Sequence, residues 1–289
     1  MAPVGFIGLG QMGAPMARRL LDRPDGLVVQ DARPEALEPF TKAGARAASR
    51  PRDVTETADV VSIMVRDDAQ VEEVLLGAGG IVETAAPGTV VAVHSTIADS
   101  TAVRLARELE PRGILFVDAP VSGGAGGAMK GKLAVMVGGT DEAFERCREV
   151  FGHWADHVLH AGPPGAGTRA KLARNLLHFV SFTAAAEAQR LAEAAGLDLV
   201  ELGKVVRHSD AVTGGPGAIM LRDTTAPVAP GDNWYPILTH VRELGNKDLS
   251  LALALGEQLG VDLPLARLAL ERFATGLGVP LEDADRVGS

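Results

Sequence analysis

The chain reads as an α/β protein: a doubly wound, mostly parallel sheet over its first half, followed by an all-helical domain. Three observations predict this. Short apolar runs alternate with amphipathic helical patterns from residue 4 to about 160, the signature of successive βαβ units. A glycine triplet, Gly8-x-Gly10-x-x-Gly13, stands between the first apolar run and the first helical pattern. From Gly167 the strand signal fades, and Ala, Leu and Glu dominate residues 168–195.

Taken in order, strands are expected at Val4–Ile7, Leu27–Gln30, Val60–Val65, Thr89–Val93 and Ile114–Val117, with helices such as Pro34–Ala43 and Asp99–Glu110 between them. Two further strands, near Leu133–Val137 and His157–His160, complete a first domain over residues 1–162. The second domain, 163–289, opens with a long helix and continues with helices near 198–208, 236–259 and 262–277. Between them, Asp210–Pro230 is rich in Gly, Pro and Thr and reads as a loop with room for one short helix.

Composition narrows the function. A length of 289 residues with 46% hydrophobic content is ample for two cores. A formal charge of −9 argues against nucleic acid or an anionic membrane as partner. No apolar run reaches the roughly 18 residues of a membrane span and no secretory leader is recognisable, so a cytoplasmic location is expected. Cys147, the single cysteine, excludes an intrachain disulfide and a multi-cysteine metal site. His153, His157 and His160 have superficial metal spacing, but a strand through His157–His160 points those side chains in different directions, so no metal is expected.

The glycine triplet lies in the strand–turn–helix context of a dinucleotide-binding fingerprint. The first domain is therefore expected to be of the Rossmann type, with Gly8, Leu9, Gly10, Gln11, Met12 and Gly13 around the cofactor pyrophosphate. Asp31 ends the second strand, eighteen residues past Gly13. A carboxylate there accepts ribose hydroxyls and repels a 2′-phosphate, favouring NAD. Arg33 lies two residues on and is a possible phosphate partner, so NADP stays open; Asp31 also fits a plain turn before Arg33-Pro34. Ser122-Gly123-Gly124, close behind the fifth strand, offers a hydroxyl and uncovered backbone N–H groups for a carboxylate, or else is a glycine-rich connection. Ser95-Thr96 follows the fourth strand and either meets the nicotinamide end of the cofactor or caps the next helix.

Two glycines, Gly165 and Gly167, loosen the backbone where the long helix starts, and Lys171 and Asn175 then fall one turn apart on one helical face. Small and apolar neighbours suggest a poorly hydrated ammonium, a proton donor beside an orienting carboxamide.

Phe6-Ile-Gly-Leu-Gly-x-Met-Gly-x-x-Met16, Ser95-Thr96-Ile97, Asp118-Ala-Pro-Val-Ser-Gly-Gly124, Gly165-x-Gly167-x-x-x-Lys171-x-x-x-Asn175 and Lys247-Asp248-Leu249 occur in this order. Together, over residues 4 to 275, they resemble the 3-hydroxyisobutyrate dehydrogenase (β-hydroxyacid dehydrogenase) family. The resemblance implies an NAD(P)-dependent oxidoreductase acting on the alcohol of a small β-hydroxy acid. It implies Lys171 as catalytic acid/base assisted by Asn175, and Ser122, Gly123 and Gly124 on the substrate carboxylate. Val65, Arg66 and Thr96 would contact the cofactor, and Lys247 both cofactor and substrate. It also implies a homodimer or homotetramer built through the helical domain. Lys247-Asp248 alone also reads as a helix-end charge pair, and Trp234 and Tyr235 as packing the interdomain cleft or, the favoured reading, the helical core. Two positions depart from the family pattern: Arg19 and Arg174 stand where asparagines are usual. Arg174 either depresses the lysine pKa, binds a second anionic group, or is a solvated surface residue. Alternative functions are an NADP-dependent semialdehyde reductase, an imine reductase, and a non-catalytic cofactor-binding sensor or assembly subunit. Retention of Lys171 favours hydroxyacid chemistry.

Overall fold

A computed structural model describes residues 2–220, 222 and 224–280 of the chain. Packing divides it into two compact units, one ending at Arg174 and the other beginning at Asn175. The first unit holds the nine strands found among the described residues: β1 (Val4–Ile7), β2 (Leu27–Gln30), β3 (Arg46–Ala47), β4 (Val60–Ile63), β5 (Val90–Val93), β6 (Leu115–Asp118), β7 (Val121–Ser122), β8 (Leu133–Gly138) and β9 (Ala155–Gly162). Their order is β3-β2-β1-β4-β5-β6-β8-β7, with β9 on β8. The first six pair in parallel, with Val4 opposite Leu27 and Val60, and Val90 opposite Leu115. β8 runs antiparallel to β6 and β7. Helices connect them: α1 (Gly13–Arg18), α2 (Pro34–Lys42), α3 (Pro51–Thr55), α4 (Asp68–Leu76), α5 (Asp99–Leu109), α6 (Gly124–Lys130) and α7 (Asp141–Phe151).

A parallel sheet covered on both faces needs apolar residues at every strand position, and β1, β2 and β5 are buried throughout. Two apolar clusters result. One, on Phe6, Met16, Val29, Phe151 and Trp154, packs α1 and α7; the other, on Ile7, Ile63, Val71, Leu105 and Leu109, packs α4 and α5. The Trp154 ring meets Phe6 edge-on at 6.0 Å and His94 at 5.5 Å.

The expected strands are present with ends moved by a residue or two, and β3 and β7 are additional. Each is only two residues long, too short for a readable alternation. The glycine-rich run after Ser122 forms a helix, Gly124–Lys130, with Ala128 buried and Gly127 against Leu133.

α8 (Ala166–Ala194) starts in the first unit and continues into the second, where α9 (Leu199–Thr213), α10 (Trp234–Leu259) and α11 (Pro264–Gly276) follow. Asp198 caps α9, its Oδ1 accepting from the N–H groups of Val200 and Glu201 at 2.8 and 3.1 Å. The buried carboxylate of Glu187 does the same for α11, accepting from Leu265 and Ala266. Gly245 lets α10 approach α11 closely, since a Cβ there would lie 2.0 Å from the Phe273 ring. Tyr235 and Trp234 pack beside the small core of Val228, Leu238, Leu277 and Val279, in agreement with the core reading. No helix among the described residues is long and apolar enough to cross a membrane.

Candidate active site

In the first unit the carboxyl ends of the strands form one edge. Gly8 N–H donates to the Gln30 carbonyl, Met64 to Ile7, His94 to Ile63 and Ala119 to Val93, at 2.7–2.9 Å. These bonds carry the ladder one step beyond each strand. They set the glycine turn, Asp31, Val65, Ser95-Thr96 and the segment from Asp118 to Gly124 along the edge where open α/β sheets bind ligands.

The glycine turn fits a dinucleotide. Gly8 adopts φ +93°, and a Cβ there would lie 2.3 Å from the Met64 carbonyl; a Cβ on Gly13 would lie 1.9 Å from the Gly8 carbonyl. Both glycines are thus required by the protein's own packing. A Cβ on Gly10 would meet nothing within 4 Å. The turn is closed on two sides and open at Gly10, as a pyrophosphate approaching the backbone requires. Gln11 is exposed and Met12 partly buried, while Leu9 points into the core. Leu9 N–H donates to Asp31 Oδ2 at 2.7 Å, tying the turn to the end of β2. Burial would raise the Asp31 pKa, but N–H bonds from Leu9 and Arg33 and the Arg33 guanidinium outweigh it and hold it below the usual range. Arg33 Nε lies 3.2 Å from Asp31 Oδ1, so the potential 2′-phosphate partner is engaged by the carboxylate that would repel that phosphate.

Ser95 and Thr96 divide their tasks. The Ser95 hydroxyl donates to the Val65 carbonyl at 2.7 Å and accepts from Val65 N–H at 3.0 Å, joining the loops after β4 and β5. Thr96 is left exposed on that junction. Neither caps α5: Asp68 Oδ1 accepts from Ala98 N–H there instead. Arg66 is exposed, its Nε 2.9 Å from Asp67.

Lys171 is 9% exposed, and its Nζ donates to the Val121 carbonyl at 2.7 Å. That carbonyl precedes Ser122, so the ammonium is hydrogen-bonded next to the proposed carboxylate cradle, in which Gly123 and Gly124 have φ of +128° and +66°. Burial and, secondly, the charge of Arg174 lower the Lys171 pKa. Asn175 follows one turn later on α8 and is partly exposed. Lys247 belongs to the second unit, on α10, exposed and 3.0 Å from Asp248; as a surface pair this contributes little.

The glycines before Lys171 do not loosen the backbone. Gly165 takes φ +91° at the entry to α8, and a Cβ on Gly167 would lie 2.3 Å from the Met136 carbonyl and 2.4 Å from that of Asp118. They permit a tight approach. Two residues at this edge carried no assigned role in the sequence. Asp118 is fully buried and accepts from Gly165 N–H and Thr168 N–H. His94, also buried, has Nδ1 2.8 Å from the Ala119 carbonyl and Nε2 3.1 Å from Ser62 Oγ. The carbonyl requires Nδ1–H, and burial takes the pKa down to about 4, so the ring is the neutral Nδ1–H tautomer with Nε2 accepting from the Ser62 hydroxyl. Among the described residues no group of three or more His, Cys, Asp or Glu could hold a metal. His160 stacks on Phe144 and contacts the Gly139 carbonyl, whereas His153 contacts Arg23.

Residues 3–162 match the family model for the NAD-binding domain of 6-phosphogluconate dehydrogenase. Residues 165–288 match that for the NAD-binding region of NADP-dependent 3-hydroxyisobutyrate dehydrogenase. An uncharacterized oxidoreductase of Mycobacterium tuberculosis is 64% identical over 282 residues, covering 98% of this chain and 95% of the relative. The 3-hydroxyisobutyrate dehydrogenase of Pseudomonas aeruginosa is 37% identical over 277 residues, covering 95% and 92%. Among solved structures, an oxidoreductase from Mycobacterium avium 104 superposes with a TM-score of 0.92 at 57% identity, covering 97% of this chain and 100% of that one. A Mycobacterium tuberculosis 3-hydroxyisobutyrate dehydrogenase with L-serine gives 0.66 at 32% identity, covering 97% and 96%.

Proposed function

This chain belongs to the 3-hydroxyisobutyrate dehydrogenase family of NAD(P)-dependent oxidoreductases, and from that premise we propose that it oxidises a small β-hydroxy acid to its semialdehyde, with NAD preferred on account of Asp31. The observation that carries the reading is the buried Lys171 ammonium bonded to the carbonyl that precedes Ser122. A relative of the family bound to L-serine, itself a small hydroxy acid, supports the substrate class.

The Gly8–Gly13 turn, Asp31, Val65, Arg66 and Thr96 would hold the cofactor, which when bound supplies the hydride acceptor. The residues of the chain do the rest. Ser122 Oγ and the N–H groups of Gly123 and Gly124 take the substrate carboxylate, fixing the hydroxyl toward Lys171. Neutral Lys171 accepts the hydroxyl proton as the carbinol carbon loses hydride; in the reverse direction the ammonium returns it to the aldehyde oxygen. A free lysine titrates near about 10.4. Burial and Arg174 lower that value, raising the neutral fraction at a given pH. The family resemblance also gives Asn175 and Lys247 supporting roles in the reaction. Asp31 disfavours a 2′-phosphate, which supports NAD over NADP.

The exposed apolar side chains of the helical unit, including Leu176, Phe179, Phe182, Val205, Val212 and Leu251, support a homodimer or a homotetramer made through that unit. The free, buried Cys147, its thiol pushed up to about 12 by burial, fits a reducing compartment such as the cytoplasm. Screening small hydroxy acids with NAD and NADP by absorbance of the reduced cofactor tests the activity. Turnover of none of them would overturn it.

A further inference from the structure

We propose that Asp118 is the positioning residue of the active site: it clamps the start of α8 to the end of β6, so that Lys171 meets the substrate cradle. The inference rests on the reading of Lys171 as the proton-transfer residue and goes beyond it. Asp118 Oδ1 accepts from Gly165 N–H at 2.7 Å and Oδ2 from Thr168 N–H at 2.6 Å. Both are short, as hydrogen bonds to a charged acceptor are, and they fill two of the donors that a helix start leaves unpaired.

A serine or threonine one residue ahead of the helix satisfies such donors locally. Here the acceptor comes from 47 residues upstream, which places the helix start in space as well as stabilising it. A single hydroxyl or amide oxygen could not give one oxygen to each N–H, as the carboxylate does. A buried carboxylate is costly without compensation. Burial raises the Asp118 pKa, and the two N–H groups oppose that rise; the helix dipole also favours the anion there.

The clamp is tight because glycine stands on both sides of it. A Cβ on Gly138 would lie 2.4 Å from Asp118 Oδ1, and one on Gly167 would lie 2.4 Å from the Asp118 carbonyl. Three residues after Thr168 on α8 comes Lys171, on the same face. Three residues after Asp118 comes Val121, whose carbonyl receives the ammonium. Cradle and proton donor therefore share one anchor, the end of β6. A displacement of about 1 Å at a reacting group is enough to lower a rate roughly 100-fold.

The test compares D118N with K171M and the wild type. The amide turns NH₂ toward one of the two backbone N–H groups and leaves that donor unpaired. In D118N that is folded by circular dichroism, kcat for hydroxyacid oxidation is expected to fall about 100-fold, with the NADH dissociation constant within about threefold. The half-maximal pH should move upward, toward that of free lysine, because a displaced Lys171 leaves the burial that lowers its pKa; Arg174 is the charged neighbour that remains. A mere loss of stability would not move this pH. A folded D118N with wild-type kcat and pH profile overturns the positioning role, and a K171M enzyme that turns over normally overturns the reading of Lys171 beneath it. Should D118N not fold, amide exchange in the wild type decides. Strong protection at Gly165 and Thr168 supports the clamp, and random-coil exchange there overturns it.

Discussion

The two units of this chain are built from similar proportions of apolar residues and use them differently. The nucleotide-binding unit buries them: Phe6, Ile63, Leu105 and Val117 have no measurable exposure, and the two clusters cover both faces of the sheet. Among its described residues the helical unit has one cluster of four buried side chains, Val228, Leu238, Leu277 and Val279, and leaves Leu176 68% and Val212 75% exposed. A parallel sheet with helices on both faces completes its core within one chain. Long helices with exposed apolar faces need a further surface, which a second copy supplies in our reading. Lys171, to which we assign the proton transfer, lies in the self-sufficient unit.

Breaking that second surface should have the largest effect. The double variant L176D/F179D is expected to run as a monomer in light-scattering chromatography and to lose about 4 kcal/mol, at about 2 kcal/mol per apolar side chain. The wild-type midpoint should rise with protein concentration, and an already monomeric wild type would erase the contrast between the units. Gly13→Ala tests the self-sufficient unit. Its Cβ would meet the Gly8 carbonyl at 1.9 Å, and overpacking should cost about 3 kcal/mol by urea unfolding with no cofactor present. Gly10→Ala, facing open space, should leave that stability unchanged and weaken NADH binding.

His94 gives a pH signature of the same unit. Burial holds its folded pKa at about 4, whereas the unfolded value is about 6.5. Above pH 6.5 both states are neutral and the group is silent. As pH falls from 6.5 to 4 the unfolded chain takes up the proton first, so stability drops by about 3 kcal/mol across that window. H94Q should flatten this slope in urea midpoints measured between pH 7 and 4.5. The smallest effect is expected at Asp31, where D31S should move the NAD-to-NADP ratio of kcat/KM about tenfold toward NADP, with Arg33 released to meet a phosphate.

The sequence made the first unit legible because continuous apolar strands and the Gly8–Gly13 turn are local signals. Helices of the second unit were also legible, as helical patterns near 198–208, 236–259 and 262–277. Their packing was not, because it depends on surfaces that no periodicity records. At the site, Lys171, Ser122 and the glycine turn could be picked out as residue types in order. Asp118 could not: it stood in a recognisable motif, but its partners lie 47 and 50 residues away. The same distance effect reversed the meaning of Gly165 and Gly167. Local rules read them as loosening, and only the neighbouring strand ends reveal them as close-packing positions. Ser95 likewise looked like a helix cap or a cofactor contact until Val65 appeared beside it.

The central claim is that Lys171 exchanges the proton at the substrate oxygen. The most direct measurement is kcat for hydroxyacid oxidation from pH 6 to 10 in the wild type and in K171M, with the NADH dissociation constant measured on both. The account predicts a wild-type rate that rises with pH to a plateau, and a K171M rate lower by about 10³-fold or more, without that rise and with cofactor affinity preserved. A wild-type profile flat across this range, or a K171M enzyme within tenfold of wild type, would contradict it.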